Sequence, residues 1–454
     1  MSKVSTKPPG GMRDFLPEDI ARRRHVIDVV RRIYEAHGFQ PLETPTLENL
    51  STLLGKYGDE GDQLLYRILH RRDALARALA LPEVREADLA DQGLRYDLTV
   101  PLARVVANYD LPKFFKRYQI QPVWRADRPA KGRFREFFQC DVDICGTKSL
   151  VADAEVCGAV ATVLRELGFA KPDDPAGGFQ IHVNHRELLR AMVAEAGIAA
   201  EKEGQALIAL DKLDKIGADG VKAELVEKGI GAEAGAKLLE MTLDTRALPG
   251  QALEAWATGS SPEGAKAAKE LQELLSIAAG GPAGAHLVFD PTLARGLSYY
   301  TGPIFEITCA GLAGSMGGGG RYDGLIGMFT KRLIPAVGFS LGLERVLLVM
   351  EERGMFPPLA AGPQLLLCRF PDIAPAAAVA VATQLRAAGL RVELYADTPS
   401  LGKQLQYANT LGAPFAAILG GNELAQQSLT LKRLATGEQK TLPIVDVAAF
   451  VKAG

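Results

Sequence analysis

Three segments of the chain alternate strictly between apolar and polar residues, and this pattern limits the possible folds more than any other feature. The segments are LRYDLTV (94–100), KRYQIQPVWR (116–125) and REFFQCDVDI (135–144). Successive side chains of a strand point to opposite faces, so strict alternation predicts half-buried, usually antiparallel strands. A sheet with one face in water explains each segment singly. Because the three together carry arginine, amide and carboxylate groups on their polar sides, we favour a sheet whose polar face binds a ligand.

Helical patterns flank these strands. Residues 18–38 and 149–168 have the apolar spacing of amphipathic helices. The stretch from Arg186 to Gly281 is rich in Ala, Leu, Lys and Glu, which predicts a helical insertion, and one of its helices begins after Ser261 as N-cap. Strand patterns resume at residues 286–290. We therefore expect an α+β domain built on an antiparallel sheet with flanking helices.

A chain of 454 residues is too long for one core, and about three domains are expected. MFPPLAAGPQ (355–364) has the composition of a linker. Beyond it, strand and helix patterns alternate, which predicts a small α/β domain with a mainly parallel sheet. The predicted division is 1–185 and 284–356 for the two parts of the sheet domain, 186–283 for the helical insertion, and 365–454 for the C-terminal domain.

The composition argues against several classes of protein. No run of about 18 apolar residues is present, so we expect no membrane span, and the N-terminal segment lacks the apolar core of a secretory signal. Five scattered cysteines without a C-x-x-C pair argue against a disulfide framework and a zinc site, and they fit a reducing cytoplasm. The net charge of −2 gives no global attraction to nucleic acid, so such a partner needs local basic patches.

The segment RADRPAKGRFR (125–135) is such a patch, with four arginines and one lysine against one aspartate. It lies between two predicted strands, which makes it the loop of a long hairpin. A solvated loop can be basic for solubility alone. We favour phosphate binding, because the rigid fork of arginine fits phosphate better than a generic charge does.

Two further segments have more than one interpretation. GGGGRYDG (317–324) lacks the Lys-Ser/Thr of a P-loop and is either a flexible turn or backbone that runs close under a ligand, where a Cβ would intrude. SLGLERVLLVMEE (340–352) predicts a strand end followed by a helix with Arg345 in its first turn. A cation is mildly unfavourable there, so either an anionic ligand or a tertiary ion pair would explain it.

The histidines do not indicate a catalytic or metal centre. His182 and His185 in HVNH lack supporting cysteines or carboxylates and are more typical of structural residues. No Ser-His-Asp or Cys-His arrangement can be argued from the six histidines of the chain. RGLSYY (295–300) alone fits either a surface turn or the wall of a pocket for an anion and an aromatic ring. With these centres set aside, the arginines are the remaining candidates for a functional role. Arginine-rich sites suit phosphoryl or nucleotidyl chemistry, where positioning and charge stabilisation dominate.

Together, these segments resemble the class II aminoacyl-tRNA synthetases and, within them, the histidyl-tRNA synthetases. Residues 38–50 around Pro45, VWRADRPAKGRFREFFQCDVD and VGFSLGLERV are similar to the three motifs of the class. RGLSYY and GGGGRYDG resemble the histidyl signatures, and LRYDLTVP with REFFQCDVDICG resembles the eukaryote-like branch. The similarity covers essentially the whole chain, including a C-terminal anticodon-binding domain. Ser298 departs from the commoner family form, which has Asp there.

The resemblance implies a histidine–tRNA ligase. Such an enzyme activates L-histidine with ATP to histidyl-adenylate and pyrophosphate, then transfers histidine to the 3′ end of tRNA(His). It further implies ATP with Mg²⁺ as a substrate, no protein-bound zinc, a cytoplasmic homodimer and no membrane partner.

The resemblance also implies roles for the residues at matching positions. The implied catalytic residues are Arg125, on the α-phosphate, and Arg295, which stabilises charge there during attack by the substrate carboxylate. The implied ATP-binding residues are Arg125, Asp127, Arg133, Phe137 and Arg345. The implied histidine-binding residues are Asp97, Leu98, Thr99, Gln139, Asp143, Tyr299 and Tyr300, with Asp97, Thr99 and Gln139 on the amino group and Asp143 and Tyr300 on the imidazole nitrogens. The alternation independently assigns Asp97, Thr99, Gln139 and Asp143 to polar faces.

Two competing interpretations stay open. One is a catalytically silent, synthetase-like regulatory subunit of histidine biosynthesis, which typically lacks the anticodon domain, whereas this chain has about 90 residues after the linker. The other is a class II ligase for a different amino acid, against which Asp143 and Tyr300 argue, since an aliphatic side chain needs no acidic partner.

Overall fold

The computed structural model describes residues 4–170, 178–259, 261–294, 300–359, 361–397 and 399–453. They form two compact units. The first consists mainly of His25–Met355, and the second of Phe356–Gly454 together with Phe15–Arg24. Within the described ranges, no helix combines the length and the apolar character needed to cross a membrane.

The elements up to residue 185 include the two long helices and two long strands that the sequence predicts. They are α1 (Pro17–Ala36), β1 (Gln40–Pro41), β2 (Leu47–Asn49), α2 (Leu50–Leu53), α3 (Gly58–Gln63), β3 (Arg67–Leu69), α4 (Arg72–Leu79), α5 (Glu86–Leu89), β4 (Ala90–Leu94), α6 (Thr99–Asn108), β5 (Phe115–Trp124), β6 (Glu136–Cys145), α7 (Leu150–Glu166) and β7 (Phe179–His185). Helix α7 begins where the Ser149 hydroxyl accepts a hydrogen bond from Val151 N, a standard N-cap. It ends just before Gly168, whose φ of +91° lies in the left-handed region that favours glycine after a helix.

The next elements are helical, as the composition predicts. They are α8 (Arg186–Glu195), α9 (Glu203–Leu210), α10 (Leu213–Glu227), α11 (Ala232–Ala247), α12 (Pro249–Gly259) and α13 (Pro262–Ala279). Ser261 is the N-cap of α13, and its hydroxyl accepts from Gly264 N at 3.1 Å. Helix α13 packs against α7 and α8 with Leu271 and Leu274 fully buried, so the helical block is attached to the sheet domain through this helix.

One sheet, eight strands wide in the part of the chain described, forms the centre of the first unit. The unit is completed by β8 (Leu287–Phe289), β9 (Pro303–Cys309), β10 (Gly317–Arg321), β11 (Ala336–Gly342) and α14 (Leu343–Glu352). The strand order is β1-β5-β6-β11-β10-β9-β7-β8. The inner pairings are antiparallel, and the outer pairs β1–β5 and β7–β8 are parallel. The predicted α+β fold on an antiparallel sheet is confirmed, and β5 and β6 form the predicted long hairpin.

The strand predicted for residues 94–100 is wrong after its first residue. Strand β4 ends at Leu94, and helix α6 begins at Thr99. Asp97 Oδ1 accepts a hydrogen bond from Val100 N at 3.1 Å, which satisfies one of the free amides of the first helical turn. Pro101 lies in the same turn, where its missing N–H costs nothing. The alternation of apolar and polar residues over 94–100 therefore does not reflect one strand. It combines the end of β4, an aspartate that caps a helix, and the first residues of that helix.

The C-terminal unit has a mixed sheet rather than the mainly parallel sheet expected. Its elements are β12 (Leu365–Arg369), α15 (Pro375–Ala387), β13 (Val392–Leu394), α16 (Leu401–Thr410), β14 (Phe415–Leu419), α17 (Gly421–Ala425), β15 (Ser428–Arg433), β16 (Gln439–Pro443) and α18 (Ile444–Ala453). Strand β12 pairs in parallel with β13 and β14, but the hairpin of β15 and β16 adds two antiparallel pairings at one edge. The α/β class is confirmed, with a core that includes Leu367, Phe415 and Leu429.

Candidate active site

A cavity of about 380 Å³ is lined by residues of β6, β10, β11 and the segments beside them. It brings together most of the predicted site residues: Asp97, Thr99, Arg125, Asp127, Arg133, Phe137, Gln139, Asp143, Tyr300 and Arg345. Leu98 does not line the cavity. It is fully buried, and its carbonyl oxygen accepts a hydrogen bond from Arg117 Nη2 at 3.2 Å. Arg295, Ser298 and Tyr299 lie outside the described residues. Tyr300 is the described residue of RGLSYY, and it lines the cavity.

Cross-strand register arranges the polar side chains of β5, β6 and β11 in rows. The rows are Arg117–Asp143–Gly338, Gln119–Asp141–Ser340 and Gln121–Gln139–Gly342. Residues of one row share a face of the sheet, and so do residues two positions apart on a strand. The alternate residues of β6, namely Cys140, Val142 and Ile144, are buried apolar side chains. The alternation in the sequence thus becomes one continuous polar surface.

A hydrogen bond and an ion pair hold the carboxylate of Asp143. Tyr322 Oη donates to Oδ1 at 2.5 Å, and Arg117 Nη2 lies 2.8 Å from Oδ2 in an ion pair. All three side chains are almost completely buried. Burial raises the pKa of Asp143, while the charge of Arg117 and the hydrogen bond from Tyr322 oppose that rise. A glycine is needed at position 338, because a Cβ there would lie 1.9 Å from Asp143 Oδ1.

A second buried carboxylate, Asp141, lies beside the first. It also lines the cavity, and its Oδ2 is 3.8 Å from Arg117 Nη2, so one guanidinium serves both aspartates. Burial, and then repulsion from Asp143, raise the pKa of Asp141 to about 7 despite the attraction of Arg117. Burial alone would lower the pKa of Arg117, but the two carboxylates outweigh that effect and raise it. Arg117 therefore stays cationic.

Asp97 and Gln139 supply further buried acceptors. Asp97 Oδ1 accepts from Tyr57 Oη at 3.0 Å in addition to the Val100 amide, and burial raises the pKa of Asp97 against these bonds. Gln139 Nε2 donates to Ser340 Oγ at 2.9 Å, and its Oε1 is buried without a hydrogen-bond partner among the described residues. Carboxylate and amide oxygens in this setting suit a cationic group with several N–H donors.

Arg125 opens the hairpin loop between β5 and β6 and is half-buried. Its Nε donates to the Tyr96 carbonyl at 3.1 Å, and its Cζ lies 4.2 Å from the Tyr96 ring centre and 5.1 Å from that of Phe137. Aromatic faces and a backbone acceptor together orient a guanidinium. Arg133 on the same loop is exposed, with Nη1 3.8 Å from Asp127 Oδ1.

Arg345 lies in the first turn of α14, as predicted, and lines the same cavity. Its Nη1 donates to the Ser315 carbonyl. The preceding residue, Glu344, is buried and accepts from Phe138 N at 2.9 Å, which fastens α14 to β6. Arg125, Arg133 and Arg345 therefore line one cavity, a set of cations that suits a polyphosphate.

The segment GGGGRYDG is strand β10 and the turn that follows, so the flexible-turn interpretation is wrong. A Cβ on Gly319 would lie 2.1 Å from the Gly338 carbonyl oxygen, which shows how closely β10 and β11 approach. Arg321 is buried and pairs with Asp153, while its Nη1 lies 3.3 Å from Asp323 Oδ1. The arginine of this segment is therefore structural, whereas Gly317, Gly318, Gly319 and Tyr322 line the cavity.

His182 and His185 have structural partners. His182 Nδ1 lies 2.9 Å from Asp290 Oδ2, and its Nε2 lies 2.9 Å from Thr308 Oγ1. His185 caps α8 by accepting from Glu187 N at 3.1 Å, and its Nε2 lies 2.9 Å from a Glu270 oxygen. Across the residues that the structure describes, no group of three or more His, Cys, Asp or Glu side chains is arranged to hold a metal ion.

Several cavity residues are absent from the sequence-based site. Asp141 lies on the predicted polar face between Gln139 and Asp143, so the two-residue spacing was a sufficient signal for it. Arg117, which lies behind the cavity wall and pairs with Asp143, has the same signal on β5. Tyr57 and Tyr322 also line the cavity. Tyr322 lies in the segment GGGGRYDG that the sequence already indicated, whereas Tyr57 comes from a segment without an alternating pattern or another local signal.

Comparison with known proteins identifies relatives over the full length of the chain. The family model described as histidyl-tRNA synthetase matches residues 11–346, and the model described as anticodon binding domain matches residues 369–454. The histidine–tRNA ligase of Porphyromonas gingivalis is 42% identical over 459 residues, 98% of each chain. The crystal structure of histidyl-tRNA synthetase from Nostoc sp. PCC 7120 has a TM-score of 0.77 at 29% identity and covers 99% of this chain and 100% of that chain.

A third similarity concerns the fold alone. The structure described as an ATP phosphoribosyltransferase regulatory subunit/histidyl-tRNA synthetase from Bacillus halodurans has a TM-score of 0.72 at 22% identity. It covers 92% of this chain and 100% of that chain.

Proposed function

We propose that the cavity described above is where this chain, which belongs to the histidyl-tRNA synthetase family and is a histidine–tRNA ligase, activates its amino acid. The enzyme converts L-histidine and ATP to histidyl-adenylate and pyrophosphate, then transfers histidine to the 3′ end of tRNA(His). One observation carries the assignment of the site: buried carboxylates and a set of arginines line the same cavity. The carboxylates suit the cationic amino acid, and the arginines suit the nucleotide.

Histidine binds at the carboxylates. Asp97, Thr99 and Gln139 receive its ammonium group, which has three donors for their oxygen atoms. Asp143 and Tyr300 bind the two imidazole nitrogens, one through a carboxylate acceptor and one through a hydroxyl. Arg117 and Tyr322 keep Asp143 in position for this contact.

ATP binds at the arginines. Arg125 contacts the α-phosphate and Arg345 the distal phosphate, Phe137 packs on the adenine, and Asp127 and Arg133 lie beside the nucleotide. The histidine carboxylate attacks the α-phosphorus and pyrophosphate leaves, while the guanidinium groups stabilise the negative charge on the α-phosphate oxygens. Mg²⁺ would accompany ATP, bound by its phosphate oxygens, and the reaction would not use a protein-bound zinc ion. Catalysis by Arg295 and histidine binding by Leu98 and Tyr299 stay predictions from the resemblance.

The other parts of the proposal concern the chain as a whole. We retain the division into 1–185 with 284–356 as catalytic domain, 186–283 as insertion and 365–454 as anticodon-binding domain. The partners are tRNA(His) and a second copy of the chain, and the compartment is the cytoplasm. The eukaryote-like branch stays a prediction from LRYDLTVP and REFFQCDVDICG, and the bacterial relatives give it no support.

The test is pyrophosphate exchange into ATP by the full chain. We expect exchange with L-histidine and none with the other amino acids. Asp143→Asn removes the acidic acceptor for the ring and should reduce kcat/KM for histidine by about 100-fold, because an unsatisfied buried polar group costs about 1–3 kcal/mol. Asp110→Asn is the matched control, because Asp110 is exposed outside the cavity, and it should exchange at the normal rate.

The outcomes separate the competing interpretations. Exchange that depends on a different amino acid would support a ligase of another specificity. No exchange with any amino acid, from a chain that is folded, would support the regulatory subunit and contradict the proposal.

A further inference from the structure

Among the buried charged side chains at the cavity, the acidic ones outnumber the basic ones. Three carboxylates, Asp97, Asp141 and Asp143, are each at most 5% exposed, and one guanidinium, Arg117, is fully buried among them. Arg117 Nη2 is shared between two of the carboxylates, at 2.8 Å from Asp143 and 3.8 Å from Asp141. Fully ionised, this set has an excess of two negative charges in a place that water reaches poorly. Such an excess is strongly unfavourable unless a ligand or a proton compensates it.

Asp141 is the carboxylate with the weakest compensation. Asp143 has the Tyr322 hydroxyl and the near contact with Arg117, and Asp97 has the Tyr57 hydroxyl and the Val100 amide. Asp141 has a hydrogen bond from its row neighbour Ser340 and only the more distant contact with Arg117. Its Oδ1, like Asp143 Oδ2, is buried without a hydrogen-bond partner among the described residues, so the weaker compensation of Asp141 rests on its longer distance to Arg117.

The groups around the Asp141–Asp143 pair offer no second cation. The titratable or charged side chains that interact with the pair from the surrounding elements of the described chain are Arg117 of β5, Asp97 before α6, Tyr322 after β10, Tyr34 of α1, and Cys145 of β6 itself. Burial raises the pKa of Tyr34, Tyr322 and Cys145, so these groups stay neutral. Arg117 is therefore the sole positive charge in this set.

We propose that Asp141 is a specificity-determining residue through which the cavity binds histidine together with one proton, shared between the Asp141–Asp143 pair and the imidazole ring. The inference rests on the proposed function, because it takes histidine as the ligand. Three carboxylates, Arg117, Arg125 beside Asp97, and the ammonium and carboxylate groups of histidine together leave one negative charge. A single proton removes it, whether the proton resides on the ring or on the pair, and two coupled sites of this kind titrate as one unit.

This proton favours an amino acid whose side chain is itself a base. The imidazole can accept the proton from the pair or leave it there, so the hydrogen bond between ring and carboxylate forms in either state. An amide side chain of similar size cannot take up the proton. When such an amide is bound, the proton can reside only on the Asp141–Asp143 pair, so the pair must remain protonated for its charge to be neutralised.

The inference predicts a proton count. The pKa of Asp141 in the free site is about 7, and Asp141 is protonated in the complex or shares its proton with the ring. Relative to Asp141→Asn, histidine binding to the unchanged protein should therefore take up about 0.1 proton more at pH 6, about 0.5 more at pH 7 and about 0.9 more at pH 8. The amino group of histidine contributes equally in both proteins and cancels.

The experiment is calorimetric titration of the full chain with L-histidine in buffers of different ionisation enthalpy. Asp110→Asn, an exposed aspartate outside the cavity, is the control and should take up protons as the unchanged protein does. Asp141→Glu keeps the carboxyl group and should keep the uptake. A difference between the unchanged protein and Asp141→Asn that stays below about 0.2 proton at pH 8 would overturn the inference.

If Asp141→Asn does not fold, the unchanged protein is sufficient for the test. The sign of the change in bound protons when it binds histidine at pH 7 then distinguishes the two alternatives. Shared-proton binding takes up about 0.3 proton, whereas binding of a neutral ring to ionised carboxylates releases about 0.7, given an imidazole pKa near 6.5 and an Asp141 pKa of about 7. Release would overturn the inference and leave the proposed function intact, since histidine would still bind. Absence of histidine binding would contradict the proposed function itself, and the inference with it.

Discussion

Replacing Gly338 by alanine is a sensitive test of how Asp143 is held. The new Cβ would lie 1.9 Å from Asp143 Oδ1 and 2.6 Å from its Cγ. Ordinary contact requires roughly 3.4 Å, so the carboxyl group must move by about 1.5 Å. A shift of this size breaks the 2.5 Å hydrogen bond from Tyr322 and the 2.8 Å ion pair with Arg117.

The size of the effect follows from these two contacts. Disrupting one side of a buried ion pair costs about 3–5 kcal/mol, and a hydrogen bond to a charged group contributes about 1.5–3 kcal/mol. The two losses overlap, because both concern one carboxylate. A loss of about 3–4 kcal/mol in transition-state stabilisation corresponds to a fall of about 100- to 1,000-fold in kcat/KM for histidine.

Pyrophosphate exchange measured over a range of histidine concentrations gives this ratio. Gly324→Ala is the control, since a Cβ at that position meets nothing within 4 Å, and its exchange should be unchanged. Thermal unfolding establishes that both variants are folded. If Gly338→Ala exchanges within about threefold of the unchanged chain, Asp143 does not bind the substrate from the position described here.

Three further predictions concern other contacts. Arg125→Lys loses the planar fork beside Tyr96 and Phe137, and we expect roughly 100-fold slower exchange at an almost unchanged melting temperature, because the side chain is half-buried at the cavity wall. Asp290→Asn should destabilise the protein at pH 7 by about 2–3 kcal/mol in denaturant titrations. Burial alone would raise the pKa of Asp290, but hydrogen bonds with His182 and Thr292 lower it to about 2, so this stability is present above pH 4 and disappears as the pH falls towards 2. Ser261→Ala removes the N-cap of α13 and should cost about 1 kcal/mol of stability with exchange unaffected; a loss of exchange at full stability would contradict its purely structural role.

The pattern of alternation predicted the centre of the fold and most of its polar face. Strands β5 and β6, their hairpin, and the sharing of one face by Gln139 and Asp143 all follow from a two-residue period, which the sequence keeps from Arg117 to Gln121 and from Gln139 to Ile144. The same two-residue period led to a wrong strand prediction at residues 94–100. Seven residues are too few to distinguish a strand from the capped start of a helix. Asp97 two residues before Thr99 and Pro101 in the first turn were the signals for the helix.

Other parts of the site depend on contacts between distant segments. Tyr322 meets Asp143 across 179 positions of the chain, and Tyr57 meets Asp97 across 40. Neither tyrosine belongs to a periodic pattern, so no local rule indicates where its hydroxyl lies. The raised pKa of Asp141 has the same origin, because it depends on burial and on the single guanidinium shared with Asp143.

The side chains of β6 point alternately to the two faces of the sheet, and this alternation determines where the gene can tolerate insertions or deletions. Deleting one codon within Glu136–Cys145 would turn every later side chain of the strand to the opposite face. Val142 and Ile144 would then face the substrates, and carboxylates would face the core. The hairpin loop that precedes the strand has no such constraint, since its ends are fixed and its middle is exposed. Insertions and deletions among homologous genes should therefore accumulate between codons 128 and 131, which lie outside the cavity, and be excluded from the ten codons that follow Arg135.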